Sequence, residues 1–188
     1  MLNRRLVFIA AALVSLWLIW PALRPTPPAP PLSLPDGQLQ LSGHRIIPLQ
    51  PFSLEARVLG REDYYLDRPA QLSPTDLALG WGPMAEPANY QRVAISQRNR
   101  WYYWRVDEFF IPRRDIERHS ANMHMIPANP VVAKTLARVK REQRISLRGQ
   151  LVRVEGDDGF RWVSSLSLDD TWDGACEVIW LEHLEILP

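Results

Sequence analysis

The chain is short of cysteine, of lysine and of net charge, and each shortage closes off a class of protein. A single cysteine, Cys176, excludes an intrachain disulfide framework. It is expected to be a small buried apolar side chain, or else a thiol open to chemistry. The formal charge is +1 over 188 residues, and Arg4, Arg5 and Arg24 account for more than that excess. The body is therefore near neutral, and no nucleic acid is expected as a partner, because general nucleic-acid binding needs a clear basic surplus. Two lysines, Lys134 and Lys140, stand against twenty arginines, a bias that reads as genome composition. Two processing marks are also missing. No Ala-x-Ala site follows the first apolar run, and with cysteine found only at 176 there is no lipobox.

What is present begins with Leu6–Leu23, which is uncharged and holds one serine. Eighteen residues at about 1.5 Å each span roughly 27 Å, enough for the hydrocarbon core of a bilayer. Arg4 and Arg5 outweigh Arg24, which keeps the amino terminus cytoplasmic, and Trp17 and Trp20 suit the far interface. Residues 1–24 are thus expected to be an uncleaved signal anchor in a bacterial inner membrane, single pass, with the body periplasmic. Prolines at 21, 25, 27, 28, 30, 31 and 35 make residues 25–36 a linker of extended polyproline II type. Residues 37–188 are read as one periplasmic domain, long enough for a single core.

Within the body, Gln38–Ser42 and Phe52–Leu59 alternate as strands. Ser73-Pro74-Thr75-Asp76 has the chemistry of a helix start, with Leu77–Leu79 continuing it and Gly80-Trp81-Gly82-Pro83 stopping it. Val93–Ser96 and Trp101–Val106 read as a hairpin joined by residues 97–100. Asn129-Pro130 opens a second helix, with Val132, Leu136 and Val139 as an apolar stripe and Lys134, Arg138 and Arg141 as a basic one. Arg144–Glu155 is a strand bent at Gly149, the turn 156–159 leads to a return strand 160–166, and Cys176–Leu187 is the last strand. The pattern predicts an α+β body, mainly β, either a mixed sheet or a small barrel of the OB type, with two short helices.

Candidate sites are few. His119, Asn122 and His124 fall within one polar-and-methionine segment, 119–129, expected to be a long connection. With Cys176 they make up the residue types of a Cys-His-Asn hydrolase, although no nucleophile motif surrounds the cysteine. The two histidines with Cys176, Asp107 or Glu108 match no standard metal spacing, so neither metal nor cofactor is expected. Alternation puts Trp101, Tyr103 and Arg105 on one hairpin face, and Trp81 stands between glycines; these are the candidate binding residues, for stacking on the sugar rings of a cell-wall glycan or on the bases of a single strand. Residues 169–174 imitate a calcium loop, but position twelve would be Trp180 where glutamate is required, so a polar turn is expected. From Trp162 onward there are six acids and no lysine or arginine, an acidic end suited to the basic stripe of the second helix.

Three stretches, Leu72–Met84, His119–Asn129 and Gly174–Trp180, resemble those of a family of uncharacterised, membrane-anchored bacterial proteins, over about residues 55–188. The resemblance implies a shared fold and placement and no activity. The expected function is a non-catalytic envelope module binding a protein partner or cell-wall ligand. The rival is a periplasmic hydrolase using His119, Asn122 and His124, with or without a metal.

Overall fold

The computed structural model describes residues 31–34, 36–168 and 176–188. The expected anchor, most of the expected proline linker and the turn expected at 169–174 lie outside the described residues. No helix among the described residues is long and apolar enough to cross a membrane.

The described chain is mainly β, with three short α-helices. In order it runs β1 (Leu32–Ser33), β2 (Leu39–Leu41), β3 (His44–Asp63), β4 (Thr75–Gly80), α1 (Pro87–Tyr90), β5 (Ala94–Arg98), β6 (Trp101–Arg105), α2 (Arg113–Arg118), β7 (Ser120–Pro127), α3 (Pro130–Leu136), β8 (Arg144–Gly156), β9 (Arg161–Val163) and β10 (Glu177–Ile186). β1 falls within the stretch read as linker, yet its two residues pair with Leu39 and Gln40.

β3 explains the architecture. It is twenty residues long and pairs with β8 along His44–Arg57, then with β4 along Arg57–Asp63. A strand shared in this way bends, and register shifts at Pro48/Gln50 and Val58/Gly60 supply the irregularity. The order β3-β4-β7-β10-β8 then closes back on β3, a five-stranded ring in which β7 and β10 run parallel and the other pairs antiparallel. Val58, Leu77, Leu79, Met123, Met125 and Ile179 meet inside it. α3 adds Val132 and Leu136, and Val139 just beyond it joins them. The Asn129 side chain caps this helix by accepting from the N–H groups of Val131 and Val132, as its Asn-Pro start predicts. At Gly149 an added Cβ would strike the carbonyl oxygen of Trp180, so two backbones pass there too close for any side chain, and the register shift of this pair falls in β10, between Leu181 and His183.

Two expectations are corrected. Thr75–Gly80 is not a helix but a strand, buried at every position. A helix buries one stripe, whereas a strand between β3 and β7 buries both faces, Leu77 and Leu79 inward and Ala78 outward. That demand overrides the local helix-start chemistry of Ser73–Asp76. The segment 119–129 is likewise no connection: Ser120–Pro127 is the strand next to β4 in the ring.

The insertion between β4 and β7, residues 81–119, forms a second layer. Ile95, Tyr102 and Trp104 of the β5–β6 hairpin pack with Leu59, Ala78, Met84, Tyr90, Val93 and Ile116 against the outside of the ring. The hairpin tip is the two-residue turn Asn99-Arg100, both with positive φ (52° and 70°), the turn geometry that matches strand twist. Arginine is an unusual occupant of that conformation.

Candidate functional site

Strand alternation sets the outward face of the ring. Met123 and Met125 point in, so Asn122 and His124 point out, as Asp76 does across the β4–β7 pair, where it lies opposite His124. Left open, this face would strand a buried carboxylate. Instead the hairpin tip covers it and delivers Arg100.

The guanidinium of Arg100 donates to Asp76 Oδ1 at 2.7 Å, to both oxygens of Asp67 at 2.6 and 2.9 Å, and to the carbonyl of Ser73 at 2.9 Å. It lies over the ring of Tyr64 at 3.7 Å, and the Tyr64 hydroxyl accepts from the Arg100 N–H. The other oxygen of Asp76 accepts from Asn122 Nδ2, which also donates to the Arg100 carbonyl, and Asn122 Oδ1 accepts from Gln97 at 2.7 Å. His124 Nδ1 stands 2.9 Å from Asp76 Oδ1, an ion-pair separation whose direction makes no hydrogen bond. The Trp162 ring closes over His124 at 4.6 Å. Asp76 and His124 are 0% and 2% exposed.

Electrostatics follow the geometry. Burial pulls the Arg100 guanidinium down, but the hydrogen bonds and charges of Asp67 and Asp76 outweigh it and hold it above its ordinary value. The hydrogen bonds from Arg100 hold Asp67 below the usual carboxylate range, against a smaller opposing effect of burial. Burial pushes the Tyr64 hydroxyl up. These groups satisfy one another as a hydrogen-bonded network that joins the loop after β3, β4, the hairpin tip and β7, with the Trp162 ring of β9 packed against His124.

The structure brings Asn122 and His124 together but not His119. Its Nδ1–H donates to the carbonyl of Asp115 at 2.9 Å at the end of α2, and its ring packs on Gly82 and against Trp81. Five residues of extended chain put it roughly 16 Å from His124. Cys176, half-buried, immediately precedes β10, whose Glu177 pairs with Met123. Among the described residues no three His, Cys, Asp or Glu side chains gather closely enough to hold a metal ion.

The hairpin splits its aromatics as alternation predicts. Trp101, Tyr103 and Arg105 face solvent, the rings 44% and 43% exposed, while Tyr102 and Trp104 face the ring of strands. Arg98, opposite Trp101, lies over the Tyr103 ring at 5.1 Å. Trp81 is partly buried and packs against the core cluster inside the ring. The basic end of α3 and the acidic end of β10 share a shallow cleft, lined by Arg138, Lys140 and Glu185 among others, with no ion pair between them.

Asp67, Asp76, Arg100, Tyr64 and Trp162 were not legible as site residues. Asp76 reads as a helix-start acid and Arg100 as a turn residue, and only the ring of strands brings them together. The fold and site together define a mainly β domain whose outer face is sealed by its own hairpin. No protein-family model matches the chain, and no curated protein matches it either.

Proposed function

We propose that this protein is a non-catalytic binding module of the bacterial envelope, held at the outer face of the inner membrane by residues 6–23. On this reading it meets an envelope protein partner or a cell-wall ligand through the solvent face of the β5–β6 hairpin. The carrying observation is that face itself: Trp101 and Tyr103 flanked by Arg98 and Arg105, left exposed while the aromatics of the opposite face are packed.

The order of the ring, with a parallel pair and a helix entering between its third and fourth strands, supports an OB-type barrel. Such barrels bind ligands across strands two and three, between the loops that follow strands one and four. Here Asp76, Asn122, His124, Tyr64 and Trp162 occupy those positions and Arg100 fills the space between them, so ligand binding is carried outward onto the hairpin. The resemblance to membrane-anchored bacterial proteins agrees in placement. The periplasmic hydrolase built on His119, Asn122, His124 and Cys176 has less support, since the histidines are apart and Asn122 is committed to Asp76, Arg100 and Gln97.

The test is crosslinking of the full-length protein in cells, with mass spectrometry of what copurifies and a parallel sedimentation assay with insoluble cell-wall material. Trp101→Ala with Tyr103→Ala is expected to lower recovery of the partner or ligand at least tenfold, as for paired aromatic anchors. Unchanged recovery would sink the assignment of this face.

A further inference from the structure

The β5–β6 hairpin closes on a two-residue turn, so Arg98 and Trp101 form a hydrogen-bonded pair, as do Ser96 with Tyr103 and Ala94 with Arg105. The N–H and C=O groups of Tyr102 and Trp104 therefore point the other way, off the far side of β6. Among the described residues these backbone groups have no hydrogen-bond partner. On the opposite side of the hairpin β5 lies against β3, where an added Cβ at Gly60 would strike Gln97 Oε1. Only the β6 side is open.

Open strand edges in folded proteins are ordinarily short, or blunted by proline, lysine or a bulge. β1 and β9 have two and three residues. β3 is open over residues 47–56, between its pairings with β2 and β4, and carries Pro48 and Pro51 there. β6 has five residues, no proline, no lysine and no register shift. Its edge is unguarded.

What fits that edge follows from its own residues. Trp101-Tyr102-Tyr103-Trp104-Arg105 complements itself when turned end for end about Tyr103. Tyr102 then lies opposite the partner's Trp104, and Trp104 opposite the partner's Tyr102, which uses every free backbone group of the edge. On the solvent face Trp101 meets the partner's Arg105. Both are otherwise unengaged, since Trp101 is 44% exposed and Arg105 makes no ion pair among the described residues. A guanidinium over an indole is attractive, and the two Arg105 side chains stand at opposite ends of the pairing, so like charges do not meet. We propose that β6 pairs antiparallel with β6 of a second copy of this chain about a dyad at Tyr103, joining two hairpins into one four-stranded sheet. The pairing needs neither the anchor nor a ligand. It sets two hairpin faces side by side as one platform, a consequence that rests on the binding role proposed above.

The test uses the full-length chain carrying Cys176→Ser and one further cysteine on the hairpin, oxidised with copper phenanthroline in detergent solution. Tyr103→Cys sets two thiols across the dyad at a Cα separation of about 4.5 Å, within disulfide reach. Its covalent dimer is expected to exceed roughly tenfold that of Ser96→Cys, also exposed on the same face. Trp101→Cys and Arg105→Cys are expected to crosslink when mixed and not singly. Equal yields at 96 and 103, or no covalent dimer at 103, would overturn the pairing. Dimer from 101 or 105 alone would overturn the dyad at Tyr103. Sedimentation equilibrium gives a reading free of thiols. Tyr103→Lys places two ammonium groups face to face at the dyad and is expected to weaken self-association roughly tenfold. An unchanged association constant would likewise overturn the pairing.

Discussion

Removing the guanidinium of Arg100 would leave Asp76, wholly buried, with only Asn122 as a donor and the His124 ring alongside. Arg100→Ala is expected to cost about 3 kcal/mol, the usual penalty for orphaning a buried charge. For a body of this size that lowers the melting midpoint by roughly 9 °C in a thermal unfolding scan. Arg100→Lys should recover only part of it, because an ammonium cannot reach Asp67, Asp76 and the Ser73 carbonyl as a planar fork. Tyr102 supplies a second expectation. Burial pushes its hydroxyl up to about 12, partly offset by the hydrogen bond it donates to Ser120. The folded protein thus keeps a proton that the unfolded chain releases near pH 10. Stability from this group is intact below pH 10 and drains away between 10 and 12. Urea midpoints measured across that window should fall less steeply for Tyr102→Phe. His124 and Asn122 stood out in the sequence because polar groups among methionines demand partners. The partners stayed hidden, since Asp76 and Arg100 lie 46 and 22 residues from Asn122 and meet it only through strand pairing.

Elements whose causes are local were legible, and those decided by neighbours were not. The α3 cap and the hairpin with its two faces each rest on a few adjacent residues. β4 does not: its Ser-Pro-x-Asp opening favours a helix until β3 and β7 flank it on both sides. The short α2 carries no side-chain cap and went unrecognised for that reason. Gly149 offers the sharpest test at this scale. Gly149→Ala would force β8 away from the Trp180 carbonyl, beside the register shift in β10, and is expected to cost about 3 kcal/mol. A midpoint within 2 °C of the parent would mean that the strands can part at that point.

At the level of the whole molecule, the ring interior, the hairpin layer and the Arg100 network are built from the described residues. A chain beginning at Pro31 is therefore expected to melt within about 2 °C of the full-length protein. A larger drop would show that the preceding segment contributes to the fold itself. The shared strand β3 has one more consequence, and it concerns time. Most of its length waits for β8, whose Gly156 pairs with His44 roughly a hundred residues earlier in the chain. As the polypeptide emerges amino end first, β3 has only β2 and β4 to pair with, and its remaining edge stays open until nearly the whole body has been delivered. Assembly of this domain is thus a late, nearly all-or-none event. Until it happens, the longest strand of the molecule is the part most open to pairing with the wrong neighbour.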